Sequence, residues 1–248
     1  MQQTRFLMGM PIILEIIEPC VTGAIFDEVY DYFGYVDRKF STYKEDSEIN
    51  RINKGELSLA DSSEDMQGIF RLAEETRLNT NGFFDIRRDH RFDPSGIVKG
   101  WAIYNAARRI EEAGFKNYYI YAGGDIQVSG KNEQGEDWRI GIQNPFDQAE
   151  IIKVLSLHDC GIATSGTYAR GQHIYNPKKQ GEHVNEIVSL TVVGPNVYEA
   201  DRFATAAFAM GSAGIQFIEE LQGFEGYMID QHGMATYTSG FERYVVHA

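Results

Sequence analysis

Tyr118-Tyr119-Ile120-Tyr121-Ala122-Gly123-Gly124-Asp125-Ile126-Gln127-Val128-Ser129 reads as two short strands, 118–121 and 126–129, joined by a tight Gly-Gly-Asp turn. β-branched and aromatic residues favour extended backbone, and glycine punctuates it. The same texture recurs downstream at 138–142, 151–157 and 187–193, with 227–229, 235–238 and 244–246 as closing strands. Helices interrupt it: residues 198–210 are rich in small side chains, and 215–221 form a second helical stretch. Upstream the balance reverses. Residues 6–17 read as one strand, after which Phe26, Val29, Tyr30, Phe33 and Val36 recur at helical spacing to about Arg38. Ser47, followed by Glu48, opens a short turn of helix. Ser62 or Ser63, followed by Glu64 and Asp65, caps a longer one with Met66, Ile69, Phe70 and Leu72 on its apolar side, ending near Asn81-Gly82. Strands in runs with short punctuation, flanked by segregated helices, define an α+β fold with a largely antiparallel β-sheet core and packed helices. No repeat, low-complexity tract or long linker divides residues 1–248, so one domain is expected.

Composition restricts the partners. A chain of 248 residues with 43% hydrophobic content suits a globular core. Its formal net charge of −13, from 36 acids against 23 bases, gives no general attraction for nucleic acid or an anionic bilayer. An anionic small ligand would need local help from a lysine, a helix N-terminus or a divalent cation. Cys20 and Cys160 are far apart without Cys-x-x-Cys spacing, so buried free thiols are expected rather than a disulfide or zinc site. No run approaches the roughly 20 apolar residues of a membrane-spanning helix. Neither a leader segment nor a lipobox before Cys20 is evident, so the chain reads as cytoplasmic as it stands, or exported if a leader has been removed.

Three groups of residues could carry chemistry. Asp93-Pro94-Ser95-Gly96-Ile97-Val98-Lys99-Gly100-Trp101 sets an acid, a glycine turn and a lysine in front of a helix running towards Ala113, the grammar of a phosphate cradle. Read alone, it is more simply a turn and helix cap with a surface lysine. Asp201 and Thr205 lie four apart, so on a helix both leave the same face and make half of a hard-oxygen cation site. Taken alone, a capping aspartate with a threonine bonded back to its own helix outweighs that reading. His173 stands out among six histidines because it follows the polar, turn-rich stretch 164–170 and precedes Ile174, Asn176 and Pro177. Its neutral imidazole could accept a hydroxyl proton near pH 7, whereas His90, His183, His232 and His247 read as solvated loop residues. Tyr43 and the pair Phe83-Phe84, near Asp85, are loop aromatics able to stack on a flat heterocycle, although core packing is the commoner use. Gly123-Gly124-Asp125 lacks dinucleotide-fingerprint spacing and reads as architecture at a ligand mouth.

In order along the chain, Met8-Gly9, residues 40–43 with Ser47-Glu48, 82–85, 93–100, Gly123-Gly124-Asp125, 164–166 with Tyr168 and Arg170, His173-Ile174, and Ala200-Asp201 with Ala204-Thr205 resemble the ApbE-type flavin transferases, the FAD:protein FMN transferase family. The resemblance covers nearly the whole chain. It implies a Mg2+-dependent enzyme that moves FMN from FAD onto a threonine or serine hydroxyl of a target flavoprotein, forming a phosphoester and releasing AMP. It also implies that Met8, Tyr43, Phe83, Phe84 and Asp85 line the flavin and adenosine positions, with Ile174 among the FAD contacts. Asp93 would bond FAD, Lys99 would face the diphosphate, and His173 would take the hydroxyl proton. Asp201 and Thr205 would hold the metal with the Gly96 carbonyl. The chain departs from the common family pattern at Tyr104, Gln172 and Asn176 and is shorter between Asp85 and Asp93. Two other activities use much of the same machinery: an FAD diphosphatase, in which water replaces the hydroxyl, and a flavin-binding module without turnover.

Overall fold

The computed structural model describes residues 1–167, 174–179 and 183–247. The chain opens with a hairpin of β1 (Gln2–Leu7) and β2 (Met10–Ile16), where a single strand over 6–17 was expected. Met8 (φ 53°) and Gly9 (φ 73°) form its two-residue turn. Two successive left-handed residues reverse the chain with the twist that paired strands need, and a methionine in the first place hides the signal. Helices follow: α1 (Gly23–Phe40), α2 (Glu48–Asn53), α3 (Glu64–Asn79) and, after the small hairpin of β3 (Arg87–Arg88) and β4 (Arg91–Phe92), α4 (Ser95–Glu112). Their starts are chemically marked, since Ser47 Oγ accepts from Asn50 N at 3.2 Å and Ser63 Oγ from Met66 N at 3.3 Å. The second half contains β5 (Tyr118–Ala122), β6 (Asp125–Ser129), β7 (Trp138–Gln143), β8 (Ile151–Leu157), β9 (Cys160–Gly166), β10 (Ile187–Gly194), α5 (Val197–Ala209), α6 (Gly214–Glu219), β11 (Glu225–Asp230) and β12 (Ala235–Tyr237).

Eight strands form one sheet in the order β1-β2-β5-β6-β9-β10-β11-β12, with every neighbouring pair antiparallel. This is the α+β architecture read from the sequence. β9 was not expected as a strand, because its sequence, Cys-Gly-Ile-Ala-Thr-Ser-Gly, carries one large apolar residue and ends in what reads as loop. Its place between β6 and β10 explains the composition, since both faces are covered. On one face Ile162 joins Ile126, Val128 and the β7–β8 hairpin, whose inward Trp138, Ile140, Ile142, Leu155 and Leu157 form a second layer. On the other, Ala163 packs with Ala200, Ala204 and Phe208 of α5. Small residues are required there: a Cβ on Gly161 would lie 1.9 Å from Val197 N. Helices α1 and α4 bury Phe26, Phe33, Ile97, Ile103 and Ile110 against Leu14 and Ile120 of the sheet. Residues 244–246 are not a strand. They leave a 3-10 turn at Phe241–Tyr244 and make a single bridge, Leu155 to Val245. The thiol expectation holds for Cys160, which is buried, and not for Cys20, which is exposed.

Candidate functional site

The crossing of α4 over α5 builds the centre of the site. Gly96 and Gly100 lie one turn apart on α4, and Asp201 and Thr205 lie one turn apart on α5. A Cβ on Gly96 would sit 3.2 Å from Thr205 Cγ2, and one on Gly100 would sit 2.6 Å from Asp201 Cβ. The glycines are therefore contact surface inside a helix, and the expected glycine turn ahead of the helix does not exist. Close approach has polar consequences. Gly100 N donates to Asp201 Oδ2 at 2.8 Å, the N–H that a regular α-helix would aim at the Gly96 carbonyl. Thr205 Oγ1 points at that same carbonyl, 3.4 Å away. One buried carboxylate, one hydroxyl and one carbonyl thus converge where the two helices touch, a set of hard oxygens that fits a small divalent cation.

Lys99 adds the opposite charge. Its Nζ lies 2.7 Å from Asp125 Oδ2 and 3.8 Å from Asp201 Oδ1, and its side chain is 13% exposed. Asp125 is fully buried, and its Oδ1 accepts from Thr164 N at 3.2 Å. Burial, reinforced by the neighbouring Asp125 charge and only partly offset by Lys99 and the Gly100 N–H, pushes the Asp201 carboxyl up to about 7. An acid so placed takes a proton or a cation near neutral pH.

Gly96, Lys99, Asp201 and Thr205 line a cleft of about 510 Å³, with Asp125 buried behind Lys99. Of the residues singled out from the sequence, Phe83, Phe84, Asp85, Asp93, Gly96, Lys99, Ile174, Asp201 and Thr205 all line it. Gly9, Tyr121, Gly123, Gly124 and Ser165 are also in its lining, so the hairpin turns β1–β2 and β5–β6 border it. Phe84 is only 3% exposed and belongs to the core as much as to the cleft, with its ring edge against Gly96. Phe83 lies under Lys178 Nζ, 4.4 Å from the ring centroid. Asp85 Oδ1 accepts from Arg87 N at 2.8 Å, and Asp93 Oδ1 from Ser95 N at 3.0 Å, so both acids also shape their own turns. Met8 occupies the β1–β2 turn beside Gly9 and packs on the core, outside the cleft lining. Tyr43 is 96% exposed and also outside it. His173 lies outside the described residues, as do Tyr168, Arg170 and Gln172. His90, His183, His232 and His247 are exposed.

Asp125 is the site residue that the sequence conceals. In Asp125-Ile126-Gln127-Val128 the polar residues alternate with apolar ones, which on a half-buried strand places them in solvent. Here the polar face is the one beneath the helices: Gln127 Oε1 accepts from Val197 N at 2.8 Å at the start of α5, and Asp125 meets Lys99. Tight packing on both sides of β6 was the missing information.

An antiparallel α+β scaffold thus brings a hard-oxygen cluster and a lysine together in one cleft. The chain belongs to the ApbE family, whose sequence model matches residues 8–89 and 86–228. Curated relatives include the FAD:protein FMN transferases of Klebsiella pneumoniae strain 342, 31% identical over 150 residues, and Escherichia coli K12, 30% identical over 150 residues. Each of these alignments covers 57% of this chain and 43% of the relative, so the matched region spans less than half the length of those proteins. Among solved structures, the flavin transferase ApbE from Vibrio cholerae superposes with a TM-score of 0.86 at 24% identity, covering 98% of both chains. The ApbE protein from Thermotoga maritima gives a TM-score of 0.88 at 18% identity, over 100% of this chain and 99% of that one. These two likenesses establish the fold.

Proposed function

We propose that this protein transfers FMN from FAD to a threonine or serine hydroxyl of a target flavoprotein, with Mg2+ bound by Asp201, Thr205 and the Gly96 carbonyl. The observation that carries the reading is the adjacency of that oxygen set to Lys99 in the lining of one cleft. The names of the curated relatives agree with it. The donor set fits the ion, since Mg2+ takes one or two carboxylates and leaves other positions to water, carbonyls and phosphate. When bound, the cation would supply charge neutralisation at the diphosphate.

The chain's own residues account for the remainder. A diphosphate resists attack because its charge repels the nucleophile, and Lys99 places a cation where that charge accumulates. Phe83 and Ile174 offer apolar wall to the ring systems of FAD, and Asp93 offers a carboxylate acceptor at the rim. The acceptor hydroxyl oxygen attacks the FMN phosphorus while the bridging P–O bond breaks. AMP leaves with the bonding electron pair, and His173 takes the hydroxyl proton. Such a general base is typically worth ~10²–10⁴-fold in rate.

The test is incubation with FAD, Mg2+ and a protein containing the accepting threonine, followed by intact-mass spectrometry. The expected result is FMN added to the acceptor with one AMP released for each FMN transferred. AMP and free FMN appearing without an acceptor would replace transfer with hydrolysis, and FAD left intact would reduce the protein to a flavin-binding module. His173→Ala should leave FAD affinity within about threefold of wild type while lowering the transfer rate by roughly 10²-fold or more.

A further inference from the structure

Lys99 is a flexible four-carbon cation, and its usefulness to a diphosphate depends on where its ammonium is held. Among the described residues, two carboxylates compete for it. Asp201 already accepts the Gly100 N–H at 2.8 Å and stands 3.8 Å from the ammonium. Asp125 is closer, at 2.7 Å, and fully buried. It is also rigidly mounted. The Gly123-Gly124 turn (φ 57° and 101°) places Asp125 at the first position of β6, paired in register with Ala122, and Thr164 N of neighbouring β9 donates to its other oxygen. A carboxylate fixed by the central sheet therefore holds the end of a side chain that projects from α4.

We propose that Asp125 is the positioning residue of Lys99, anchoring its ammonium in the cleft lining beside the α4–α5 crossing. The role rests on the reading of Lys99 as the group that faces the diphosphate. Asp201 is the weaker anchor with or without a cation, because it stands farther from the ammonium and one of its oxygens already accepts the Gly100 N–H. Asp125 needs no contact with FAD to matter, because it acts through where Lys99 can reach.

A double-mutant cycle separates this from a general structural role, using wild type, Asp125→Asn, Lys99→Met and the double variant. Asparagine retains an oxygen for the Thr164 N–H and removes the charge that holds Lys99. Thermal unfolding first establishes that each variant is folded, and Asp125→Ser replaces Asp125→Asn in the cycle should the asparagine variant not fold. FAD affinity is read from flavin fluorescence in EDTA, without turnover, and kcat for transfer is read with Mg2+ and acceptor. With rigid groups, attraction by Lys99 and repulsion by Asp125 add independently, and the cycle gives no coupling. Positioning makes them interdependent. The penalty of Lys99→Met on both FAD affinity and kcat should shrink by about fivefold or more once Asp125 is asparagine. Penalties equal within about twofold in the two backgrounds overturn the proposal. A loosened fold does not reproduce the expected result, because a smaller folded fraction weakens apparent FAD affinity by the same factor in both Lys99 backgrounds and leaves no coupling. If wild type neither transfers FMN nor releases AMP, the functional reading falls, and the affinity arm alone decides the role of Asp125.

Discussion

At the scale of single residues, Asp201 shows how burial turns an ordinary side chain into a site. Its carboxyl is pushed to about 7, whereas the unfolded chain returns it to the ordinary value of ~3.9. The folded state then holds a proton that the unfolded state releases, so the metal-free protein loses stability as pH rises through the window between those values. Asp201→Asn keeps an acceptor for the Gly100 N–H and removes the titration. Urea unfolding in EDTA should therefore show the variant gaining on wild type as pH rises from about 4 to about 7 and levelling off above, and the stabilisation by Mg2+ expected of wild type on the proposed reading should be absent from the variant. A gap independent of pH would show that Asp201 is not buried as an acid. The two cysteines make a simpler contrast. Burial pushes the Cys160 thiol up to about 11, and Cys20 is exposed. Titration with a thiol reagent at pH 8 should modify one thiol quickly in the folded protein and the second only on unfolding. Asp201 and Thr205 were legible because spacing of four on a helix specifies a shared face. Asp125 was not, because alternation on a strand specifies two faces without saying which of them is covered.

Among elements, legibility followed chemical marking. Helices α2 and α3 announce themselves through Ser47 and Ser63, whose hydroxyls satisfy N–H groups that helix starts leave free. Strands β5, β7, β8 and β10 carry large apolar or β-branched residues and were placed to within about two residues, the ordinary boundary error. β9 escaped because tertiary packing determines its sequence: the start of α5 sits directly on it, and only glycine fits at position 161. Gly161→Ala consequently sets a methyl group against backbone atoms at 1.9 and 2.2 Å, which no rotamer change can relieve. Either α5 lifts or β9 bends. The expected cost is about 3 kcal/mol, at the upper end for overpacking, and the displaced α5 carries Asp201 and Thr205 with it. Denaturant unfolding should show the loss of stability, and Mg2+ titration followed by protein melting should show weakened cation binding in the same variant. Unchanged stability would mean that α5 is not seated on β9 as described.

For the whole molecule, the proposed function sets a net charge of −13 against an anionic ligand. In that reading the site resolves it locally: Lys99 lines the cleft, and the hard-oxygen set beside it would recruit a second positive charge. Neither reaches far into solvent, so an approaching dinucleotide experiences the acidic surface before it experiences the site. Screening should therefore act differently on arrival and departure. The Debye length falls from ~30 Å at 0.01 M salt to ~8 Å at 0.15 M, which suppresses long-range repulsion while leaving contacts at under 4 Å inside the cleft much less affected. In stopped-flow measurements of flavin fluorescence in EDTA, the association rate constant for FAD should rise severalfold over that range of ionic strength, and the dissociation rate constant should change much less. An association rate that falls with salt would mean that the basic residues at the rim, Arg88 and Lys178 among them, dominate the field along the approach path. The outcome thus decides whether this fold draws its ligand in by charge or admits it against charge and retains it by contact.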